Sequence, residues 1–225
     1  MIKDNKGVDK EMNTEAIIFD LDGTLIDSTG VWEQVDRLFL RENGIDPPKD
    51  ISEKVKTMTI EQSSQYFIER FSLPLTQEYI INRIEEIVSE QYHYHIGFKE
   101  GAERFLDRLD EKNIPYCIAT AGYKSLAEAV VKRLGLEKRI KFLLTCSELK
   151  VSKNSPEIFF ESLKRLGTEK DNTLVIEDSL HSIKTAKGAG FRTVGVADRC
   201  SENDWGEIVR IADITVKRLD NLKIL

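Results

Sequence analysis

The chain has 225 residues, enough for one large domain or a core with an insertion, and its 40% hydrophobic and 32% charged residues are ordinary for a globular protein. A net charge of −6 argues against nucleic acid or an anionic membrane as the main partner, and no apolar run approaches the roughly 20 residues of a membrane helix. Three widely spaced cysteines form no zinc pattern and indicate a reducing, cytoplasmic compartment.

The first 13 residues are polar and lack the apolar segment of an export signal, so we expect no export. Residues 1–12 are expected to form a disordered extension. Within it, Met12 is an alternative to Met1 as the native start.

The strongest pattern in the chain is a short apolar run followed by a polar turn. Residues 16–19 are too few for a typical helix and predict a buried strand. At strand spacing Asp20 and Asp22 would point the same way, and Gly23 permits a sharp turn. Two acids this close indicate a bound cation or a shared proton, with solvated acids at a strand end as the simpler alternative. Asp20 could attack phosphorus and form an aspartyl-phosphate, while Asp22 could protonate the leaving oxygen and then activate water.

The following stretch of about 70 residues has a helical period and no strand pattern. Apolar residues recur at helical spacing after Ser28, until Asn43 and Gly44 end the pattern. Further helices are predicted at 51–56, 60–71 and 76–94. We therefore expect residues 29–97 to form an all-helical cap domain, inserted directly after the acidic loop.

From Lys99 onward, helices and strands alternate. Strands are predicted at 115–120, 141–146, 173–176, 193–196 and 213–216, and helices at 101–111, 125–134, 156–166 and 179–187. This alternation predicts an α/β fold, with a Rossmann-like parallel sheet covered on both faces. The catalytic core would comprise residues 13–28 and 98–225, with the active site at the carboxyl ends of the strands.

Two later strand ends carry further candidate site residues. Thr120 would end one strand, where its hydroxyl and the backbone N–H groups from Ala121 onward could hold a phosphate, although a simple turn residue is the alternative. Glu177 and Asp178 end another strand and offer the hard oxygen ligands that suit Mg²⁺. Ser179 is expected to cap the helix that follows.

These motifs resemble those of the haloacid dehalogenase-like (HAD) phosphohydrolases. The string from Phe19 to Ser28 is similar to their first motif, and the resemblance makes Asp20 the nucleophile and Asp22 the acid/base. Thr120 matches the phosphate-binding Ser or Thr of their second motif. Ala121 stands where the family often has Ser or Asn, so a side-chain contact with phosphate is not expected there.

The resemblance also implies a lysine and a Mg²⁺ site. Lys153, three residues before Pro156, matches the lysine that offsets the charges of nucleophile and phosphate, and Lys150 is the competing candidate. The usual Gly and Pro around that lysine are replaced by Ser152 and Asn154. The implied metal ligands are Asp20, the backbone carbonyl of Asp22, Asp178, and Glu177 as a ligand or as the holder of a bound water.

A cap placed after the first motif is typical of the family branch that acts on small phosphorylated metabolites. Such a cap closes over the site and excludes water and macromolecules. Its site-facing loop is expected at residues 56–62. The β-phosphoglucomutases of this branch have an Arg and a His where this chain has Ile60 and Trp32, which favours hydrolysis over a bisphosphate mechanism. Trp32 either resembles a tryptophan of the sugar-phosphate phosphatases or packs within the cap.

The sequence therefore predicts a Mg²⁺-dependent phosphatase that hydrolyses a small phosphorylated metabolite, such as a sugar phosphate, through an aspartyl-phosphate intermediate. A β-phosphoglucomutase-like phosphosugar mutase is the enzyme alternative, and a catalytically silent binding protein on the same fold is the alternative from another class. The expected partner is a small-molecule phosphate ester, with no nucleic acid and no membrane. The protein is expected to be a cytoplasmic monomer.

Overall fold

The computed structural model describes residues 14–55, 58 and 60–223, without the side chains of Trp32, Glu33 and Glu53. The predicted extension at 1–12 lies outside the described residues, and so does the role predicted for the Trp32 side chain. Part of the predicted cap loop, Lys56, Thr57 and Thr59, also lies outside them.

A parallel sheet lies at the centre of the protein. Its strands in the described residues are β1 (Ala16–Phe19), β2 (Tyr116–Thr120), β3 (Leu143–Thr145), β4 (Thr173–Glu177), β5 (Arg192–Val196) and β6 (Ile214–Val216). They lie in the order β3-β2-β1-β4-β5-β6, and each neighbouring pair is parallel. Phe19 of β1 pairs with Ile118 on one side and Ile176 on the other, so three strands end at the same edge. The predicted α/β fold is confirmed.

In the described residues, four helices and a π-helix lie between β1 and residue 96. Their bounds are α1 (Thr29–Glu42), α2 (Ile51–Val55), α3 (Ile60–Phe71), α4 (Gln77–Glu90) and the π-helix (Gln91–His95). Phe39 of α1 stacks on Phe67 of α3 with 5.9 Å between ring centroids, and both rings are fully buried. The predicted helical insertion is therefore present, and we refer to these helices as the cap. The exact bounds of the cap domain, 29–97, stay a prediction.

The remaining helices cover both faces of the sheet. They are α5 (Ala102–Glu111), α6 (Lys124–Arg133), α7 (Cys146–Leu149), α8 (Glu157–Leu166), α9 (Leu180–Gly188) and α10 (Trp205–Ile211). Because successive residues of a strand face opposite sides, Phe19 packs with Phe105 of α5, whereas Ile18 packs in a separate cluster with Phe159 of α8. Burial on both faces explains why β1 is a continuous apolar run. None of the described helices has the length and apolar composition to cross a membrane.

Several elements differ from the sequence expectation, and the helix predicted at 76–94 is divided into α4 and the π-helix. The strand predicted to reach Cys146 ends at Thr145, because Thr145 and Glu148 form a capping box that begins α7. Thr-x-x-Glu is a recognisable helix start that the sequence analysis passed over. Helix α10 was also not predicted, although Trp205, Ile208, Val209 and Ala212 recur at helical spacing; the helix has only seven residues, of which Ile208 is the buried one.

Candidate active site

The first acidic loop turns sharply at the carboxyl end of β1. Gly23 has a φ of +79°, a left-handed conformation that residues with a Cβ rarely adopt. A Cβ at this position would lie 2.7 Å from a carboxylate oxygen of Asp178. The turn therefore requires glycine, because it brings the backbone after Asp22 directly against the end of β4.

A cluster of buried charges lies where β1 and β4 end. Lys153, from the loop before α8, donates to Oδ1 of Asp20 and to Oε1 of Glu177, the latter at 2.6 Å. Lys153 is only 4% exposed and Glu177 only 1%. Lys150 has a left-handed backbone at the end of α7, and the structure brings Lys153, not Lys150, to the candidate nucleophile.

Burial and neighbouring charges shift the pKa values in this cluster strongly. Burial raises the pKa of Asp20 to about 7, Lys153 opposes the rise, and the charges of Glu177 and Asp22 add to it. Burial also raises the pKa of Asp178 to about 9, together with the charges of Glu177 and Asp20. Burial alone would lower the pKa of Lys153, but the two carboxylates beside it hold that pKa above its usual value. Lys153 alone therefore does not balance the negative charge that Asp20, Glu177 and Asp178 carry when ionised.

The donor set fits a hard divalent cation. Carboxylate oxygens of Asp20, Glu177 and Asp178 lie within 4.8 Å of one another. Oε1 of Glu177 already accepts from Lys153, and its Oε2 accepts from the backbone N–H groups of Asp178 at 3.0 Å and Ser179 at 3.1 Å. These contacts lower the pKa of Glu177 although its burial acts in the opposite direction. Asp20 and Asp178 are therefore the carboxylates best placed to bind a metal directly, while Glu177 fixes Lys153.

Ser179 occupies the N-terminal cap position of α9, but its hydroxyl does not cap the helix. It donates instead to Oε2 of Glu177 at 2.9 Å. The predicted cap position is confirmed, but the side-chain hydrogen bond of a cap is absent. In a side-chain cap the hydroxyl oxygen would accept from an N–H of α9, whereas here the hydroxyl donates its hydrogen to Glu177 at the end of β4.

Asp22 lies beside a cavity of about 410 Å³ between the core and the cap. Its Oδ1 accepts hydrogen bonds from the hydroxyl of Ser28 at 2.7 Å and from that of Tyr92 at 2.5 Å. The cavity is lined by Asp22, Tyr92, Thr120, Ala121, Gly122, Tyr123, Leu126 and Ala127. The structure therefore brings Asp22, Thr120 and Ala121 to one space, whereas Lys153, the third predicted phosphate-binding residue, is not among the residues that line it.

The loop after β2 is tightly packed against Asp22. Thr120 is 1% exposed, and its hydroxyl accepts from the backbone N–H of Gly122 at 2.9 Å. A Cβ on Gly122 would lie 3.1 Å from Oδ2 of Asp22. Oδ2 therefore faces this loop, on the side where a phosphate held by Thr120 would lie.

Lys99 and Asp198 support the acidic loop on the side away from the cavity, and neither residue was predicted. Lys99 donates to the carbonyl of Gly23 and to Oδ2 of Asp198, the latter at 2.6 Å. Oδ1 of Asp198 accepts from the hydroxyl of Thr29 at 2.7 Å and from the backbone N–H of Cys200. Burial opposes ionisation of Asp198, but these donors hold its pKa below the usual value. Asp198 follows the end of β5, so a search for polar residues after every predicted strand would have found it. No sequence signal indicated Lys99.

Comparisons with known proteins agree with this architecture. The family profile described as "Haloacid dehalogenase-like hydrolase" matches residues 17–196. A Drosophila melanogaster protein named "Probable pseudouridine-5'-phosphatase" is 28% identical and covers 80% of each chain. The "Phosphorylated carbohydrates phosphatase" of Thermotoga maritima is 24% identical over 80% of this chain and 83% of its own. A Thermotoga maritima crystal structure, described as a candidate β-phosphoglucomutase, has a TM-score of 0.82 at 23% identity, covering 92% of this chain and 96% of that one.

Proposed function

Because the chain belongs to the haloacid dehalogenase-like hydrolase family, we propose that it is a Mg²⁺-dependent phosphatase acting on small phosphorylated metabolites, such as sugar phosphates, through an aspartyl-phosphate on Asp20. The main support for the proposal is the arrangement of four side chains. Asp20 lies buried at the end of the central strand with Lys153 on its carboxylate, and Asp22 faces the same cavity as Thr120. The two sequence relatives described above are named as a pseudouridine-5'-phosphatase and a phosphorylated carbohydrates phosphatase, and these names support the same substrate class.

In the first step, a carboxylate oxygen of Asp20 attacks the phosphorus of the ester. A bond forms between this oxygen and phosphorus, while the bond between phosphorus and the ester oxygen breaks. Oδ2 of Asp22 gives its proton to the departing ester oxygen, which leaves as an alcohol. Lys153, the hydroxyl of Thr120 and the N–H of Ala121 hold the phosphoryl oxygens during this transfer.

In the second step, the aspartyl-phosphate is hydrolysed. The ionised carboxylate of Asp22 takes a proton from a water molecule, whose oxygen attacks phosphorus. The bond between phosphorus and Asp20 breaks, which restores the Asp20 carboxylate and releases inorganic phosphate. Asp22 ends this step protonated, ready for the next turnover.

The chain's own residues would hold Mg²⁺ through the carboxylates of Asp20 and Asp178 and the backbone carbonyl of Asp22. When bound, the ion supplies the positive charge that lets an ionised Asp20 approach an anionic phosphate. Glu177 keeps Lys153 in place and, in the proposed site, contacts the metal at most through water.

The cap and core take different parts in this function. Residues 13–28 and 98–225 form the proposed catalytic core, and residues 29–97 form the proposed cap that closes the cavity over the phosphate. A cavity of about 410 Å³ suits a small metabolite, not a macromolecule. All three cysteines are free, which is consistent with the proposed cytoplasmic location, and we propose that the protein acts as a monomer.

The test is phosphate release from a panel of phosphorylated metabolites with purified protein. We expect release with Mg²⁺, none with EDTA, full recovery when Mg²⁺ is restored, and inhibition by Ca²⁺, whose looser coordination misplaces the attacking oxygen. Asp20→Asn is the matched control for a contaminating phosphatase. Full activity after chelation, or equal activity of the control, would refute the proposal. No release from any substrate would favour the catalytically silent alternative.

A phosphosugar mutase is the second candidate, since a described neighbour of the same fold carries that name. A mutase must hold a second phosphate from the cap side, yet this chain has Ile60 at the expected arginine position. Lys54, a nearby cation, is paired with Asp50 at 2.9 Å. We therefore expect β-glucose 1-phosphate, where it is a substrate, to yield glucose and inorganic phosphate.

A coupled assay with glucose 6-phosphate dehydrogenase separates the two reactions. Addition of glucose 1,6-bisphosphate should not start isomerisation. NADPH formation faster than phosphate release would make the mutase the better assignment. No reaction with this sugar, but release from another ester, would leave hydrolysis as the function and exclude only this substrate.

A further inference from the structure

Two hydroxyl groups converge on a single oxygen of the proposed acid/base. Ser28, at the end of the first acidic loop, and Tyr92, from the π-helix of the cap, both donate to Oδ1 of Asp22. The two donors are 64 residues apart in the chain, since Ser28 and Tyr92 lie 6 and 70 residues from Asp22. Loop geometry alone therefore does not explain the arrangement, and the cap contributes directly to the surroundings of Asp22.

The position of Tyr92 is fixed by contacts on both sides. Its side chain is 3% exposed and packs in the main hydrophobic cluster. Its backbone carbonyl accepts from Nε of Arg133 on α6 at 3.2 Å, and the carbonyl of Ile96 accepts from the same guanidinium. The π-helix is thus attached to a core helix on one side, while the phenol reaches Asp22 on the other.

The lone pairs of Oδ1 determine which oxygen of Asp22 can carry a proton. A carboxylate oxygen has two lone-pair sites for hydrogen bonds, and the two hydroxyl groups occupy both sites on Oδ1. Oδ2 remains to carry and transfer the proton. It is also the oxygen that faces the Thr120–Gly122 loop, where a substrate phosphate would lie.

We propose that Tyr92 is a positioning residue for the proton transfer: with Ser28 it engages Oδ1 of Asp22, so that the proton is carried on Oδ2 and aimed at the departing ester oxygen. The proposal rests on the phosphatase function given above. Tyr92 lines the same cavity as Asp22, and the role proposed for its hydroxyl is exercised through Asp22. Its contribution is to select one of two chemically equivalent oxygens and to hold the carboxylate plane at a fixed angle.

The test compares Tyr92→Phe with Tyr94→Phe. Both substitutions remove one phenol oxygen from the same π-helix, but Tyr94 is 71% exposed and serves as the matched control. With an alkyl phosphate, kcat of Tyr92→Phe should fall roughly 10- to 100-fold, the usual effect of deleting one hydrogen bond to a charged group, with KM nearly unchanged. With p-nitrophenyl phosphate the loss should be much smaller, because that leaving group needs no proton. Tyr94→Phe should match the wild type on both.

A second measurement does not depend on activity. In protein labelled with ¹³C at the aspartate carboxyl carbons, the Asp22 resonance is identified by its loss in Asp22→Asn. Tyr92→Phe should displace this resonance, and Tyr94→Phe should leave it in place. Ser28→Ala, which removes the other donor without touching the cap, should also displace it and supplies the second variant if Tyr92→Phe fails to fold.

The outcomes separate this proposal from the proposed function. A wild-type protein that hydrolyses no phosphate ester would refute the phosphatase, and the Asp22 resonance would then decide the Tyr92 contact alone. A resonance unmoved by Tyr92→Phe in a folded variant would overturn the proposal. Equal losses of kcat for the alkyl and p-nitrophenyl esters would also overturn it, because they would show that Tyr92 acts through cap packing, without a role in proton transfer.

Discussion

The carboxyl edge of the sheet and the interior of the cap bury different kinds of side chain. At the edge, a lysine and two carboxylates, Lys153, Asp20 and Glu177, are almost completely removed from solvent. Inside the cap, aromatic and aliphatic side chains pack together, with the stacked rings of Phe39 and Phe67 between α1 and α3. Charged groups of the cap form their pairs at the surface, as Arg83 does with Glu42, Glu86 and Glu90.

The buried charges at the sheet edge are suited to the reaction, whereas the apolar cap is suited to enclosing the substrate. Burying charges costs free energy that only precise pairing offsets, so a protein retains such clusters where their reactivity is used. Apolar packing makes the cap a stable body that can cover the site without reacting. Tyr92 links the two regions, since its ring packs in the main hydrophobic cluster, which contains residues of both cap and core, and its hydroxyl reaches Asp22. The predictions below test this division, beginning with the largest expected effect.

Removing the attacking charge should abolish turnover. Asp20→Asn keeps the shape of the side chain but not its nucleophilicity, so kcat should fall by at least ~10³-fold. Asp171→Asn, an exposed position before the opposite end of β4, is the control and should keep wild-type activity. Circular dichroism and thermal unfolding check that both variants fold. Residual activity of Asp20→Asn within tenfold of the wild type would contradict the role of the nucleophile.

Removing the acid/base should affect substrates unequally. Asp22→Ala should reduce turnover of a sugar phosphate far more than turnover of p-nitrophenyl phosphate, because a sugar alkoxide needs a proton to leave. General-acid catalysis is typically worth ~10²–10⁴-fold, and the gap between the substrates should approach that size. Steady-state rates with both esters measure the gap. Equal losses would mean that Asp22 acts through the metal site or the loop structure.

Much of the core could be predicted from local pattern. Apolar runs ending in polar residues gave β1, β2 and β4, and the same rule placed Thr120 and Asp178 near Asp20. Parallel strands that end at one edge bring such residues together whatever their separation in the chain. The motif resemblance favoured Lys153 over Lys150 through its distance from Pro156, and the structure brings Lys153 to Asp20. The apolar pattern alone does not distinguish the two lysines.

The contacts between cap and core could not be predicted from local pattern. Tyr92 continues an apolar stripe from Ile84 and Val88, so its spacing indicates a core aromatic residue and nothing more. Its contact with Asp22 depends on the π-helix and on how the cap docks. Lys99 lies where the chain returns from the cap to the core, and its partner Asp198 lies 99 residues further on. Local pattern does not indicate a contact over this separation.

The two regions should also differ in what an ion pair contributes to stability. Lys153→Met leaves two buried carboxylates without their partner, which should lower the free energy of unfolding by roughly 3–5 kcal/mol. Arg83→Met removes a cation from partners that are largely in solvent, so the loss should stay below about 1 kcal/mol. Urea unfolding in EDTA measures both. Similar losses in the two variants would remove the distinction between the regions.

The smallest expected effect concerns a buried carboxylate inside the cap. Asp36 on α1 is 8% exposed, and burial raises its pKa to about 6 from an ordinary value of 3.8. The folded protein therefore holds this proton at a pH where the unfolded chain has lost it. The stabilisation that the proton gives is fully present below pH 3.8 and is lost as the pH rises through 6.

Asp36→Asn should remove this pH dependence, because the amide has the same shape and does not titrate. Between pH 7.5 and pH 5, the free energy of unfolding of the wild type should rise relative to the variant by about 1.4 kcal/mol, the equivalent of one pKa unit. The difference between the two proteins cancels the titration of Asp20 and Asp178, which both retain. Asp46→Asn, exposed in the same cap, should follow the wild type. Parallel curves for the wild type and Asp36→Asn would show that water reaches Asp36, and that the interior of the cap is less completely apolar than its packing indicates.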